Sequence, residues 1–185
     1  MAVDPQLLEQ ALRTPETGDV TDTPIVRAVI LPDPVNAADV VPFLARPDSL
    51  ESRNARRILC QFGPAAVPHL MTALAATPSA RARAEGTGAL WAILTTEHVG
   101  TVRESLVAAT TQLRVLLEDA SPLPEELPEY IERDFRGRVC DRVYVVVREL
   151  LNDDFDQSPF RGLDDRGRDD EIRQWLSRGP GGAVA

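Results

Sequence analysis

The stretch Phe62-Gly63-Pro64-Ala65-Ala66-Val67-Pro68-His69-Leu70 reads as the end of one helix followed at once by the start of another. Phe62 closes the set Ala55, Ile58, Leu59 and Phe62, whose spacing of three and four residues places all four on one helix face. Gly63 suits a helix stop, and Pro64 suits a first helical turn, where its missing amide hydrogen would have no partner anyway. A new apolar set then begins with Val67, Leu70, Met71 and Leu74. Upstream, Asn36 is expected to cap a helix carrying Val40, Val41, Phe43 and Leu44, and Asp48 or Ser49 to cap the one ending at Phe62. Downstream, Pro78 or Ser79 starts a fourth helix to about Thr95, with Ala82, Gly86, Ala89, Leu90 and Ile93 in register.

These helices form a repeat. Val40-Val41-Pro42-Phe43-Leu44 corresponds to Ala66-Val67-Pro68-His69-Leu70, and each leads through a turn to a second helix. The second helices close on Ile58-Leu59 with Phe62 and on Ala89-Leu90 with Ile93. A recurring helix pair cannot cover its own apolar face, so pairs must stack and the ends need caps. In these features the chain resembles the HEAT-repeat family in its bacterial form. Phe62 to Leu70 is similar to the opening of that family's first helix, and Ala82-Arg83, Gly86, Ala89-Leu90 and Ile93 to its second. The resemblance covers residues 36–95 and departs from the consensus at Gly86 and Gly88, where Ala is usual and glycine weakens a helix. It implies an all-α fold, a short right-handed α-α superhelix (a HEAT-like solenoid) with divergent terminal helices.

Outside the repeat, Asp4 and Pro5 can open a helix over residues 5–13, with Leu7, Leu8, Ala11 and Leu12 on one side. Residues 14–24 read as a loop, and Ile25 to Leu31 as helix or strand, ended by Pro32 and Pro34. Residues 1–35 are thus a cap or an extended arm. A long helix is expected over 98–119, a Pro-containing connector over 121–128, a short helix from Glu129 to Arg133, and a strong helix from Arg138 to Leu151. An acidic loop with Phe155 and Phe160 leads to a last helix from about Asp165 to Ser177, whose Ile172, Trp175 and Leu176 suit a C-terminal cap. The Gly-rich tail over 179–185 is expected to fray. The repeats accordingly span 36–151, and the loop and cap 152–178.

Composition narrows the function. A net charge of −9 opposes a nucleic-acid backbone or an anionic membrane as main partner, because both need a basic surface. All 20 basic residues are Arg, which together with abundant Ala, Val, Gly and Pro suggests GC-rich bacterial coding. Cys60 and Cys140 are too few for a disulfide framework or zinc cluster and read as small buried hydrophobes in a cytoplasmic protein. His69 and His98 have no ligand neighbour at helical spacing. The run Asn152, Asp153, Asp154, Asp156 resembles a calcium loop, but Gln157 and Leu163 occupy the positions that need Gly and Glu. The adjacent pairs Glu125–Glu126 and Asp169–Asp170 diverge by about 100° on a helix and form no dyad. With no phosphate loop or nucleophile elbow, no catalytic residue, cofactor or metal is expected.

The candidate site is therefore a protein-binding surface. Arg53 and Arg57 lie one turn apart, opposite the core set of their helix, and Trp91 lies opposite Ala82, Gly86 and Ile93. Trp and Arg dominate binding hot spots. Burial of Trp91 against the following repeat is the favoured placement, since solenoid helices are covered on two sides; exposure is the other. Arg138, Arg142 and Arg148 suggest a second row, with Asp141 and Glu149 placed to neutralise it. The expected function is a non-catalytic scaffold or adaptor for another protein. Two alternatives stand beside it: an acidic inhibitor or immunity protein blocking a basic partner, and a bilin-lyase-like tetrapyrrole handler.

Overall fold

The computed structural model describes residues 3–14, 20–47, 49–124, 137–151 and 155–178, and among them regular structure is helical apart from an isolated antiparallel bridge between Pro122 and Arg138. The chain is all-α. The expected helix from Glu129 to Arg133, the tail, Asp48 and Asn152 to Asp154 lie outside the described residues.

Helix α1 (Pro5–Leu12) starts on Asp4, whose carboxylate accepts the Gln6 amide hydrogen. Leu8, Ala11 and Leu12 face inward, whereas Leu7 points outward at 38% exposure. The inner stripe is narrow because α1 packs mainly on one later helix, leaving Leu7 beyond its edge. After a 3-10 turn at Val20–Asp22, residues Val26–Ile30 form a π-helical run in which the Leu31 amide donates to the Val26 carbonyl at 2.9 Å. The run left open between helix and strand is thus helical.

The next segment is continuous but uneven: a 3-10 turn at Pro34–Asn36, α2 (Ala37–Val40), then 3-10 again over Val41–Ala45. Pro42 accounts for the tightening, since it removes a helical donor and crowds the carbonyl four residues back. Asn36 is not the cap expected of it. Asp33 takes that role by accepting the Val35 amide at 3.2 Å, while buried Asn36 donates through Nδ2 to the Val29 and Ile30 carbonyls, each at 3.0 Å. Helix α3 (Leu50–Leu59) is capped by Ser49 and ends through the Cys60 amide and two 3-10-type bonds, Gln61 to Ile58 and Phe62 to Leu59. Gly63 then sits at φ −84°, ψ 177°, extended backbone open to any residue. The helical run stops at Gly63 as expected, and the break needs no left-handed glycine. A 3-10 turn at Pro64–Ala66 leads into α4 (Val67–Ala76).

Ser79 caps α5 (Ala80–Leu94), its hydroxyl accepting the Ala82 amide at 3.2 Å. The long helix expected over 98–119 is two, α6 (Val99–Ala108) and α7 (Thr110–Leu117), broken at Ala109 with φ −108°, ψ 19°. There the Thr110 hydroxyl donates to the Val107 carbonyl at 2.7 Å, offering the backbone a local alternative to the helical ladder. Helices α8 (Val139–Leu151), α9 (Ser158–Arg161) and α10 (Asp165–Arg178) follow.

The elements lie in two rows. Residues 34–45, α4 and α6–α7 form one, with α2 against α4 and α4 against both α6 and α7. Helices α3, α5 and α8 form the other, with α3 against α5 and α5 against α8. Across the rows each first element packs on its second, so three helix pairs stand side by side. One apolar cluster runs through them all. At one end α1 and the 20–22 turn pack on α3, with Leu12, Val20 and Ile30 buried. At the other end Tyr144 of α8 gathers Phe155, Phe160 and Trp175, with ring centroids 6.1, 4.7 and 6.0 Å away.

Helix α5, packed on both sides within its row and across to the other, is buried nearly throughout. That crowding explains one of its two glycines, Gly86, and not the other. A Cβ on Gly86 would stand 2.3 Å from Cδ2 of fully buried Leu74, whereas one on Gly88 would meet only Arg142 Nη2 at 3.4 Å. Alanine gains about 1 kcal/mol over glycine in a helix, and overpacking a core costs about 1–3 kcal/mol. Gly86→Ala should therefore destabilise by about 1 kcal/mol and Gly88→Ala stabilise by up to about 1 kcal/mol. Urea midpoints shifting in opposite directions are the expected result; a shared direction contradicts this account.

Candidate protein-binding surface

The second row carries the expected residues. On α3, Arg57 is exposed and Arg53 half-buried. On α5, Trp91 is 42% exposed although its neighbours Ala89, Leu90, Ile93 and Leu94 are all buried. Burial of Trp91 against a following repeat, the favoured expectation, is thus overturned: α8 covers another side of α5 and leaves the indole in solvent. An exposed indole on an otherwise buried helix is unusual, because the apolar area it leaves in water would stabilise the fold if covered.

The second row of arginines is not a surface. Arg142 is 7% exposed, and its Nε donates to the Ala84 carbonyl at 3.2 Å, in the space that Gly88 leaves open. Arg138 clamps the fully buried Asp141 through Nε at 3.1 Å and Nη2 at 2.9 Å, and its Nη2 lies 2.8 Å from Asp169. Both arginines therefore tie helices together, and the correction has a simple cause. Helix α8 is covered by α5, α6 and α7 on one side and by the terminal aromatics on the other, so its polar residues must find partners inside.

Arg148 differs. It lies at a cleft of about 500 Å³ whose walls include Tyr144, Phe155, Phe160, Asp156 and Glu171. Its Nη1 donates to the Tyr144 hydroxyl at 2.6 Å, and that hydroxyl donates to Glu171 Oε1 at 2.9 Å. Burial and the Glu171 carboxylate raise the Tyr144 phenol above its ordinary pKa, so it stays a donor. Sequence reasoning missed this cleft. Its only signals were Phe155 and Phe160 beside the acidic run and the Tyr144–Arg148 spacing of one turn.

Between α3 and α5 sits Glu85, 1% exposed. Its Oε1 accepts from Arg81 Nε at 2.9 Å, and its Oε2 lies 3.9 Å from Arg56 Nη1. Burial raises its pKa above the ordinary value of 4.5, and the two arginines offset only part of that. The folded chain then keeps a proton that the unfolded chain has lost, so this group makes stability fall as pH rises from about 4.5 through the folded pKa. Glu85→Gln should remove that slope. Urea unfolding of both proteins across the window tests it, and a difference between them that does not change with pH would refute the assignment.

The thiols are poor nucleophiles. Burial and the Asp141 charge push Cys140 up to about 12, and burial raises Cys60. His69 is half-buried and His98 exposed. Among the described residues no three His, Cys, Asp or Glu lie together so as to hold a metal ion. Asp156, from the calcium-like run, accepts the Ser158 amide at 2.9 Å at the start of α9. No single helix among them is long and apolar enough to cross a membrane. No family model, curated protein or solved structure matches the chain.

Proposed function

We propose that the chain is a non-catalytic, cytoplasmic scaffold or adaptor that holds another protein on the second-row face of a HEAT-like right-handed superhelix. The observation that carries this reading is Trp91, 42% exposed on a helix most of whose residues are buried. The three side-by-side helix pairs support the repeat reading, and exposed Arg57 on the neighbouring helix adds the second residue type enriched at hot spots. Capture of interacting proteins by the native chain and by a variant with Arg53, Arg57 and Trp91 all changed to Ala tests it. A hot-spot tryptophan contributes about 2 kcal/mol or more, so retention should drop roughly 30-fold or more while melting is unchanged. Equal capture by both proteins refutes this face.

The net charge of −9 supports a second reading, an acidic inhibitor of a basic partner. Capture that weakens steeply with salt favours it over the adaptor, since long-range attraction between exposed charges is screened.

A further inference from the structure

The cleft beside α8 is a site distinct from the Trp91 face and does not depend on it. Its volume of about 500 Å³ is that of a small-ligand site. The floor is aromatic, with Tyr144 and Phe160 rings 4.7 Å apart and Phe155 edge-on to Tyr144 at 6.1 Å. One cation already rests against it. The Arg148 guanidinium carbon lies 4.5 Å from the Phe155 centroid and 5.5 Å from that of Tyr144, with Glu171 3.8 Å from its Nη1. Ring faces backed by a carboxylate stabilise a guanidinium through cation–π attraction and charge-assisted hydrogen bonds. The protein's own arginine thus displays the chemistry that these walls favour.

The walls also keep a surplus of negative charge, two carboxylates, Asp156 and Glu171, against one guanidinium. Asp156 is exposed, and the Glu171 side chain is 41% exposed, so both meet groups arriving from solvent. We infer that the cleft binds a cationic side chain, an arginine presented by a basic segment of a partner protein. Its aliphatic stem rests on Phe155, the half-buried ring of the floor, and its guanidinium is held by Asp156 and Glu171. An anionic group would face the surplus charge, and a neutral planar group would gain stacking without the ion pair.

The test uses N-acetyl-arginine methylamide titrated into the whole protein, read by NMR shifts of the Tyr144 and Phe155 rings. The citrulline counterpart, of the same shape without the charge, is the control. Saturable shifts with a Kd in the millimolar range are expected for arginine, and binding roughly tenfold weaker for citrulline. Asp156→Asn combined with Glu171→Gln keeps an acceptor oxygen for the Ser158 amide and the Tyr144 hydroxyl while removing both charges. It should bring arginine down to the level of citrulline. Arg148→Gln removes the competing cation and should tighten arginine binding several-fold, a gain that loss of folding would not produce. Equal binding of the two compounds, no shift with either, undiminished arginine binding by the folded double variant, or weaker binding by Arg148→Gln would each overturn the assignment.

Discussion

Asp141→Ala should lower the unfolding free energy by about 3–5 kcal/mol, the cost of removing a fully buried carboxylate that two half-buried arginines share. Asp141 is fully buried and occupies the third position of α8, where its Oδ2 accepts the Arg138 amide hydrogen at 3.1 Å. That is half of a capping box, and it also places negative charge at the positive end of the helix. The same carboxylate holds the Arg138 side chain and lies 3.2 Å from Arg168 Nε of α10. Arg138 in turn reaches Asp169, so α8 and α10 are joined through Asp141. One substitution therefore removes a cap, two ion pairs and the anchor of the last helix. Thermal unfolding should show it as a fall of roughly 10 °C, given about 2–4 °C per kcal/mol at this chain length. Added salt should change little, because the pair is shielded from solvent. Replacing Arg138, Asp141 and Arg168 together by apolar residues should recover most of the loss, since a buried ion cluster is often matched in stability by well-packed hydrophobic side chains. A single variant that melts within a degree or two of the native chain would mean the cluster is decorative.

Helix positions were legible wherever the cause was local. Asp4, Ser49 and Ser79 cap the helices predicted to follow them, because an Asp or Ser oxygen needs only the amides two or three residues ahead. The inward set Ala82, Gly86, Ala89, Leu90 and Ile93 is buried as its spacing required. Misreadings came where a distant segment decides. Asn36 is a natural cap by type, yet its amide is drawn to the Val29 and Ile30 carbonyls, a competition that spacing does not reveal. Gly86 looks like a departure from a repeat pattern until Leu74 is placed beside it. The surface followed the same rule. Periodicity identifies the side of a helix that points inward, but not which outer sides a non-neighbouring element will cover. It therefore put Arg138 and Arg142 in solvent and Trp91 against a neighbour, and the fold does the reverse. The cleft depends on residues from α8, α9, α10 and the segment before α9, which only the folded chain brings together.

Tyr144→Ala should cost about 3–5 kcal/mol, as truncation of a buried aromatic side chain does. At 1% exposure Tyr144 ranks among the largest fully buried side chains, and it is the ring around which Phe155, Phe160 and Trp175 arrange themselves. Its removal leaves the apolar faces of α9 and α10 with little to pack against, since Ile172 and Trp175 are the buried residues of α10. The loss should therefore begin locally, with the C-terminal cap detaching before the three helix pairs unfold. Trp175 reports this directly in a Trp91→Phe background, where it is the remaining indole. Its emission should shift to the red at lower urea than the far-ultraviolet helical signal falls. Tyr144→Phe provides the contrast, because it keeps the ring and removes only the hydroxyl between Arg148 and Glu171. Those two are partly solvent-exposed and stand 3.8 Å apart, close enough to bond each other or water. The cost should then be no more than about 0.5–1.5 kcal/mol, the net worth of a typical hydrogen bond. Two coincident unfolding transitions in Tyr144→Ala would show that the cap and the helix pairs form one cooperative unit. A large loss in Tyr144→Phe would show that the hydroxyl network, not ring packing, holds the cap in place.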